Sequence, residues 1–127
     1  MIPNDRKYTK DHEWVKLEGA EAVMGITDHA QSQLGDITFV ELPKTGRTVR
    51  QAESIASVES VKAASDIYSG ISGEITSVNA ALNDSPEIIN KAPYDKGWIC
   101  RIKVKNADEM KNLMDAKAYE ALIAKEK

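Results

Sequence analysis

The chain has 127 residues, of which 17 are Lys or Arg and 20 are Asp or Glu, giving a formal net charge of -3. This length fits one domain, residues 1–127, with enough chain to bury a core. The charges are spread without a basic patch, which argues against nucleic acid as a partner, and no uncharged run approaches the roughly 20 residues of a membrane helix. The start of the chain lacks a secretory signal, so we expect a bacterial-type cytoplasmic protein.

The first predicted elements are a β-hairpin and a short helix. Residues 13–17 and 21–26 are alternating runs joined by a short segment that contains glycine, which predicts the hairpin. Thr27-Asp28 offers caps for a helix of one or two turns, Gln31 stands in the position that completes a capping box, and Gly35 supplies a left-handed stop.

A third strand is predicted over residues 36–42, where apolar and polar residues alternate again. The alternation places Ile37 and Phe39 on one side of this strand, with Glu41 as an optional third member. Residues 43–46 close the strand, because proline cannot donate to a β-ladder and glycine permits a turn.

Residues 54–76 predict a second hairpin, with Lys62 near its middle. β-branched residues alternate with small polar ones on both sides of this lysine, a pattern typical of two strands. A lysine at a turn is most often a solvated charge, but here none of the flanking residues is bulky or charged, which indicates an amine presented to other molecules. These flanking residues are Ser60, Val61, Ala63, Ala64 and Ser65.

The hairpin is followed by a continuation of its second strand and a short helix. Residues 74–79 are predicted to continue the strand, with a bend at Gly70 or Gly73. Ser85-Pro86 is a favourable helix start, because proline at the first helical position loses no hydrogen bond. The available length permits a single turn through residues 88–89.

The last predicted strand covers residues 98–104, where the alternation turns Cys100, the only cysteine, inward as a small buried hydrophobe. The tail, about residues 106–125, is predicted to be helical and to pack on the sheets through an apolar stripe of Tyr119, Leu122 and Ile123. About seven short strands indicate a mainly β fold, a flattened barrel or sandwich of antiparallel sheets with short connecting helices and a C-terminal helix.

Few residues indicate a catalytic or metal site. His12 and His29 are the only histidines and, with one cysteine, predict no metal centre. No glycine pattern matches a phosphate-binding loop, and no serine stands at a strand-to-helix elbow. We therefore expect a protein without an active site of its own, and Lys62 remains the one candidate functional group.

At this lysine the chain resembles a known family. The segment Glu59-Ser60-Val61-Lys62-Ala63, followed by Ser65-Asp66 and residues 69–74, is similar to the lipoylation region of the glycine cleavage H-protein family. The resemblance implies a lipoyl-carrier domain of the lipoyl/biotinyl-type hybrid barrel sandwich. It covers residues 7–123, with further motifs at residues 12–15, 25–31, 34–35, 39–43, 92–94 and 97–98.

The resemblance implies that lipoate-attaching enzymes place lipoic acid on Lys62 in amide linkage, which removes its charge. The implied protein is a monomeric, non-catalytic shuttle with three enzyme partners. A pyridoxal-phosphate glycine decarboxylase loads the aminomethyl group of glycine onto the lipoyl arm. A tetrahydrofolate-dependent aminomethyltransferase removes it, and a flavin-containing dihydrolipoyl dehydrogenase reoxidises the dithiol with NAD.

The resemblance also implies a surface cleft that shelters the loaded arm. Glu13 and Asp66 match acidic residues associated with that cleft, and a cationic aminomethyl group would favour their carboxylates, although both also fit as ordinary turn acids. Gly70 departs from the proline usual in the family. Because proline has less backbone freedom to lose on folding, we expect Gly70→Pro to be tolerated and slightly stabilising.

Two other interpretations use the same lysine hairpin. A biotin domain favours methionines beside its lysine, where this chain has Val61 and Ala63, and the lipoyl domains of 2-oxo acid dehydrogenases belong to longer chains with flexible linkers. An unmodified structural or binding module differs from the carrier only in lacking the modification on Lys62, so the sequence leaves that interpretation open.

Overall fold

A computed structural model describes residues 2–126 as two β-sheets with short helices between strands and a longer helix near the end. The strands are β1 (Lys7–Tyr8), β2 (Glu13–Glu18), β3 (Glu21–Ile26), β4 (Ile37–Glu41), β5 (Thr48–Val49), β6 (Ser54–Ser60), β7 (Ala64–Tyr68), β8 (Gly73–Val78) and β9 (Cys100–Val104). The α-helices are α1 (Asp28–Leu34), α2 (Ala81–Asp84), α3 (Ile88–Lys91) and α4 (Ala116–Lys125), and a 3₁₀ helix covers Ala107–Asn112.

The strands form a six-stranded sheet, in the order β1-β2-β3-β9-β8-β5, and a three-stranded sheet, in the order β4-β6-β7. All neighbouring pairs are antiparallel. Met24 and Ile102 of the larger sheet and Val58 and Ile67 of the smaller one are buried in a shared core. The predicted sandwich or flattened barrel of antiparallel sheets is therefore confirmed, because the apolar faces of both sheets are covered by each other.

The hairpin of β2 and β3 and the helix after it lie where the sequence predicts them. Thr27 is the N-cap of α1, since its Oγ1 accepts a hydrogen bond from the Ala30 N–H at 3.1 Å. The predicted capping box is wrong, because Gln31 donates to the Asp28 carboxylate at 2.8 Å instead of to the cap backbone. Gly35 ends the helix with a φ of 78°, which a glycine adopts without strain.

The predicted sidedness of β4 is wrong beyond Ile37, because Phe39 and the optional Glu41 are both exposed. Ile37 is buried, but Phe39 is 51% exposed and Val40 takes the inward position. The register of β4 against β6 shifts between Ile37 and Phe39. Such a bulge adds one residue to the strand and reverses the alternation beyond it, so the period of two fails there.

The chain changes sheets after the lysine hairpin. β7 ends at Tyr68 in the smaller sheet, and β8 begins at Gly73 in the larger one. Residues 74–79 therefore do not continue the second strand of the hairpin, as the sequence predicts, but begin pairing with β9. The crossing segment, residues 69–72, holds Gly70, and Gly73 is the first residue of β8, so both glycines at which a bend is predicted lie at the change of sheet.

The predicted tail over residues 106–125 is divided into two helices. The 3₁₀ helix ends before Leu113, and Met114 bridges to Tyr8 before α4 begins. Tyr119 confirms the predicted packing of the tail, because its ring is buried and stacks on that of Tyr8 at a centroid distance of 4.7 Å. Cys100 is also buried as predicted, and burial raises its thiol pKa to about 12.

The structure contradicts the expectation that proline is favourable at position 70. A Cβ added at Gly70 would overlap the Cγ2 methyl of Val15, a fully buried β-branched residue with little freedom to turn away. Proline carries the same Cβ, so Gly70 is the residue that lets the crossing segment pack against β2.

In residues 2–126 no helix has the length and apolar character needed to cross a membrane.

We predict that Gly70→Ala lowers the free energy of unfolding by about 1–3 kcal/mol, the usual cost of overpacking a filled core. Urea denaturation measures it. In a Val15→Ala background, which removes the obstructing methyl, the same substitution should cost clearly less, because the two residues are in contact. An equal cost in both backgrounds would contradict this explanation, as would a stabilised Gly70→Pro variant.

Candidate functional site

One serine side chain organises the turn that carries Lys62. The Ser60 N–H donates to the Ala63 carbonyl at 2.8 Å and closes the turn between β6 and β7. The Ser60 Oγ accepts hydrogen bonds from the N–H groups of Lys62 and Ala63, both at 3.1 Å. Serine hydroxyls stabilise turns in this way because they bind nearby backbone groups, so Ser60 fixes the backbone from which Lys62 projects.

The turn presents Lys62 to solvent from a supported base. Lys62 and Ala63 are exposed, and Val61 is 67% exposed. The Val61 N–H donates to the Asp36 carbonyl at 3.1 Å, which ties the turn to the segment after α1. In that segment, Lys62 Cε lies 3.4 Å from the position of a Cβ built on Gly35, so the lysine stem passes over a residue without a side chain. Among the ion pairs of residues 2–126, none involves Lys62.

Glu59 and Asp66 lie on the exposed face of the same hairpin. Glu59 pairs with Ala64 across the ladder, and its carbonyl accepts a hydrogen bond from the Thr38 hydroxyl at 3.2 Å. Asp66 lies opposite Ser57 and lines an open groove of about 450 Å³ together with residues of β6 and the segment after β4. Both carboxylates are exposed to solvent.

Glu13 occupies a different environment, because its side chain is buried where the two sheets meet. Only 2% of Glu13 is exposed. One carboxylate oxygen accepts a hydrogen bond from the Thr9 hydroxyl, and the other accepts from the Tyr68 N–H at 3.1 Å. Burial raises the pKa of Glu13 to about 7, against the lowering effect of these two hydrogen bonds.

Glu13 lines a cleft of about 360 Å³, here called the Glu13 cleft, with walls from the first strands, the end of β7 and the segment before α4. Tyr8, Gln51, Tyr68 and Leu113 are among its lining residues. Asp66 does not line this cleft, so the structure does not bring the two predicted acids into one cavity. Their roles toward a bound arm remain predictions.

The Glu13 cleft lies at the far end of β7 from the lysine turn. Four residue steps separate Ala64 from Tyr68, about 13 Å at about 3.3 Å per residue. An arm of lysine plus lipoyl chain spans about a dozen bonds, or about 15 Å at about 1.25 Å per bond along an extended chain. A lipoyl group on Lys62 that lay along β7 would therefore extend toward Tyr68, whose N–H binds the Glu13 carboxylate.

The structure also brings together a group that the sequence does not predict. His12, His29 and Glu126 meet beside α4, with each histidine Nε2 near the same carboxylate oxygen of Glu126. Burial lowers the pKa of His12, and the Glu126 carboxylate opposes that shift. Because the three residues come from distant parts of the chain, no local motif could have signalled their contact.

The raised pKa of Glu13 predicts a pH-dependent stability. Between its ordinary value of 4.5 and about 7, the folded state binds this proton more tightly than the unfolded state, so stability falls as pH rises through that window. A pKa raised from 4.5 to about 7 corresponds to about 3 kcal/mol. Glutamine does not titrate, so the free energy of unfolding of Glu13→Gln, relative to that of wild type, should rise by about that much as the pH is raised from 4.5 to 8. Urea denaturation at several pH values measures it. If the free energies of unfolding of wild type and variant differ by the same amount at every pH, the pKa of Glu13 is not raised.

The sequence and the fold of this chain were compared with those of known proteins. The family model described as glycine cleavage H-protein matches residues 6–126. Glycine cleavage system H proteins of Salmonella arizonae and Geobacillus kaustophilus are each 52% identical to this chain, over 98% and 95% of both chains respectively. That of Thermus thermophilus is 50% identical over 98% of both chains.

A solved structure agrees with the sequence relatives. The crystal structure of a glycine cleavage system H protein from Mycobacterium marinum superposes with a TM-score of 0.89 and 38% sequence identity, covering 97% of this chain and 99% of that one. Sequence and fold thus match over nearly the whole length of the chain. The chain belongs to the glycine cleavage H-protein family.

Proposed function

We propose that the protein is the lipoyl-bearing shuttle of a glycine cleavage system, with lipoic acid in amide linkage to Lys62. The family functions as a lipoyl carrier in glycine cleavage. The observation that carries the assignment to Lys62 is its position at the tip of the β6–β7 hairpin, exposed and between small neighbours. An enzyme that acylates an amine must approach it from several sides, and this turn leaves those sides open.

The hairpin residues have separate tasks in this proposal. Ser60 holds the N–H groups of Lys62 and Ala63, so the backbone under the arm is fixed while the side chain above it rotates. Ala63 adds little side-chain bulk beside the amine. The exposed Glu59 places a negative charge next to the turn, to which a basic surface of a lipoate-attaching enzyme could bind. Amide formation removes the charge of Lys62 and leaves a neutral tether.

The shuttle has no catalytic step of its own in this proposal. A bound lipoyl group supplies a cyclic disulfide that accepts the aminomethyl group of glycine and a dithiol that is later reoxidised. The proposed partners are a pyridoxal-phosphate glycine decarboxylase, a tetrahydrofolate-dependent aminomethyltransferase and dihydrolipoyl dehydrogenase. Cys100 does not interfere with that sulfur chemistry, because its buried thiol has a pKa of about 12 and carries almost no thiolate at neutral pH.

The Glu13 cleft is the proposed resting place of the loaded arm. Its distance from the lysine turn is comparable with the length of the arm, and its walls exclude most of the solvent around Glu13. A cationic cargo amine would be attracted to the Glu13 carboxylate and stabilise its ionised form. Asp66, exposed midway along β7, is the proposed acid that the arm passes on the way.

We predict that protein from a lipoate-producing cell yields a tryptic peptide covering residues 51–91 with the added mass of one lipoyl group. Trypsin does not cut after an acylated lysine, and Lys62 is the only Lys or Arg between residues 51 and 90. Mass spectrometry of the digest measures it. Recovery of only the 51–62 peptide would contradict the carrier assignment in that cell.

We further predict that Lys62→Arg abolishes glycine cleavage in a reconstituted system while the melting temperature stays within about 2 °C of wild type, because Lys62 is exposed. The matched control is Lys117→Arg, an exposed lysine in α4, which should keep full turnover. Turnover retained by the Lys62→Arg variant would mean that another residue carries the cofactor.

A further inference from the structure

Three metal-binding side chains from distant parts of the chain converge beside α4. His12 lies in the turn before β2, His29 in the first turn of α1, and Glu126 directly after α4. One ligand atom from each residue lies within 4.8 Å of the other two. Nε2 of His12 and Nε2 of His29 are 3.1 Å and 3.3 Å from the same Glu126 oxygen.

These separations match a metal coordination shell. In a tetrahedral site with metal–ligand bonds of about 2.0–2.1 Å, neighbouring ligand atoms lie about 3.3 Å apart. Both imidazole–carboxylate separations are already close to that value. The third separation is within 4.8 Å, and rotation of these partly exposed side chains would bring the two imidazole nitrogens closer.

A partly buried hydrogen-bond chain orients His12 for such a role. Its Nδ1 lies 2.8 Å from the Tyr119 hydroxyl, which lies 2.7 Å from Thr27 Oγ1. If Nδ1 carries the ring proton and donates it to the phenol oxygen, Nε2 is left with a lone pair that faces His29 and Glu126. Metal-ligating histidines are generally held by such a hydrogen bond from their other nitrogen.

We propose that His12, His29 and Glu126 bind a divalent first-row transition ion, with Zn²⁺ as the best match to two imidazoles and one carboxylate. Water completes the shell from an adjoining cleft of about 360 Å³ that His29, Glu126 and Asp28 line. The ion fastens the end of α4 to α1 and to the turn before β2. Because these segments are adjacent only in the folded chain, bound metal stabilises the fold. This site is separate from the Lys62 hairpin and from the proposed shuttle function.

The test is a thermal melt of the full-length, untagged Lys62→Arg protein, which has no lipoyl thiols to bind zinc. Cys100 is buried and does not compete. After treatment with EDTA and its removal, added Zn²⁺ should raise the melting temperature by about 5–10 °C once free Zn²⁺ reaches about 100 times its Kd. Bound Co²⁺ should show the visible absorption of a tetrahedral site.

Variants of the cluster separate metal binding from nonspecific stabilisation. Both responses should be lost in His29→Gln and strongly reduced in Glu126→Gln, whereas Glu120→Gln, which removes an exposed acid from the same helix, should keep them. The proposal is overturned if Zn²⁺ leaves the melting temperature of the parent protein unchanged. It is equally overturned if His29→Gln, folded by circular dichroism, responds as the parent does, because the cluster would then be only histidine–carboxylate hydrogen bonds.

Discussion

The hydrogen bond from the Tyr68 N–H to the buried carboxylate of Glu13 links the two sheets and sets the position of the proposed resting site. Glu13 is the first residue of β2 in the larger sheet, and Tyr68 is the last residue of β7 in the smaller one. Burying a carboxylate costs stability, as its raised pKa records. The carboxylate accepts hydrogen bonds from the Thr9 hydroxyl and the Tyr68 N–H, and a buried acid with a raised pKa is the kind of group that we propose meets a cationic cargo.

The two ends of β7 are held by different contacts. At the Tyr68 end, β7 is anchored through Glu13 to the larger sheet, and Gly70 lets the crossing segment approach Val15. At the other end, the backbone of the turn is fixed by Ser60, but the side chain of Lys62 has no ion-pair partner within residues 2–126. A strand anchored at one end, with an exposed lysine beyond the other, suits the proposed arm, which would leave one site and return to another.

Local signals in the sequence predict the elements that local interactions decide. The β2–β3 hairpin, the start of α1 at Thr27 and the inward face of Cys100 follow from alternation and capping, which act over a few residues. The bulge before Phe39 and the change of sheet after Tyr68 depend on pairing with distant strands, so periodicity misses them. The same holds for the site: exposure of Lys62 is local, whereas the separation of Asp66 from the Glu13 cleft and the meeting of His12, His29 and Glu126 arise only from tertiary packing.

In the proposed shuttle, an arm attached to Lys62 brings its cargo amine to Glu13. The most direct measurement is an NMR titration of the Glu13 side-chain carboxyl carbon in unmodified protein and in lipoylated protein charged with its cargo. The unmodified protein should titrate with a pKa of about 7, and the charged protein should show a clearly lower value, because a neighbouring cation favours the carboxylate. An unchanged Glu13 pKa on charging would contradict the proposed contact between the cargo amine and Glu13.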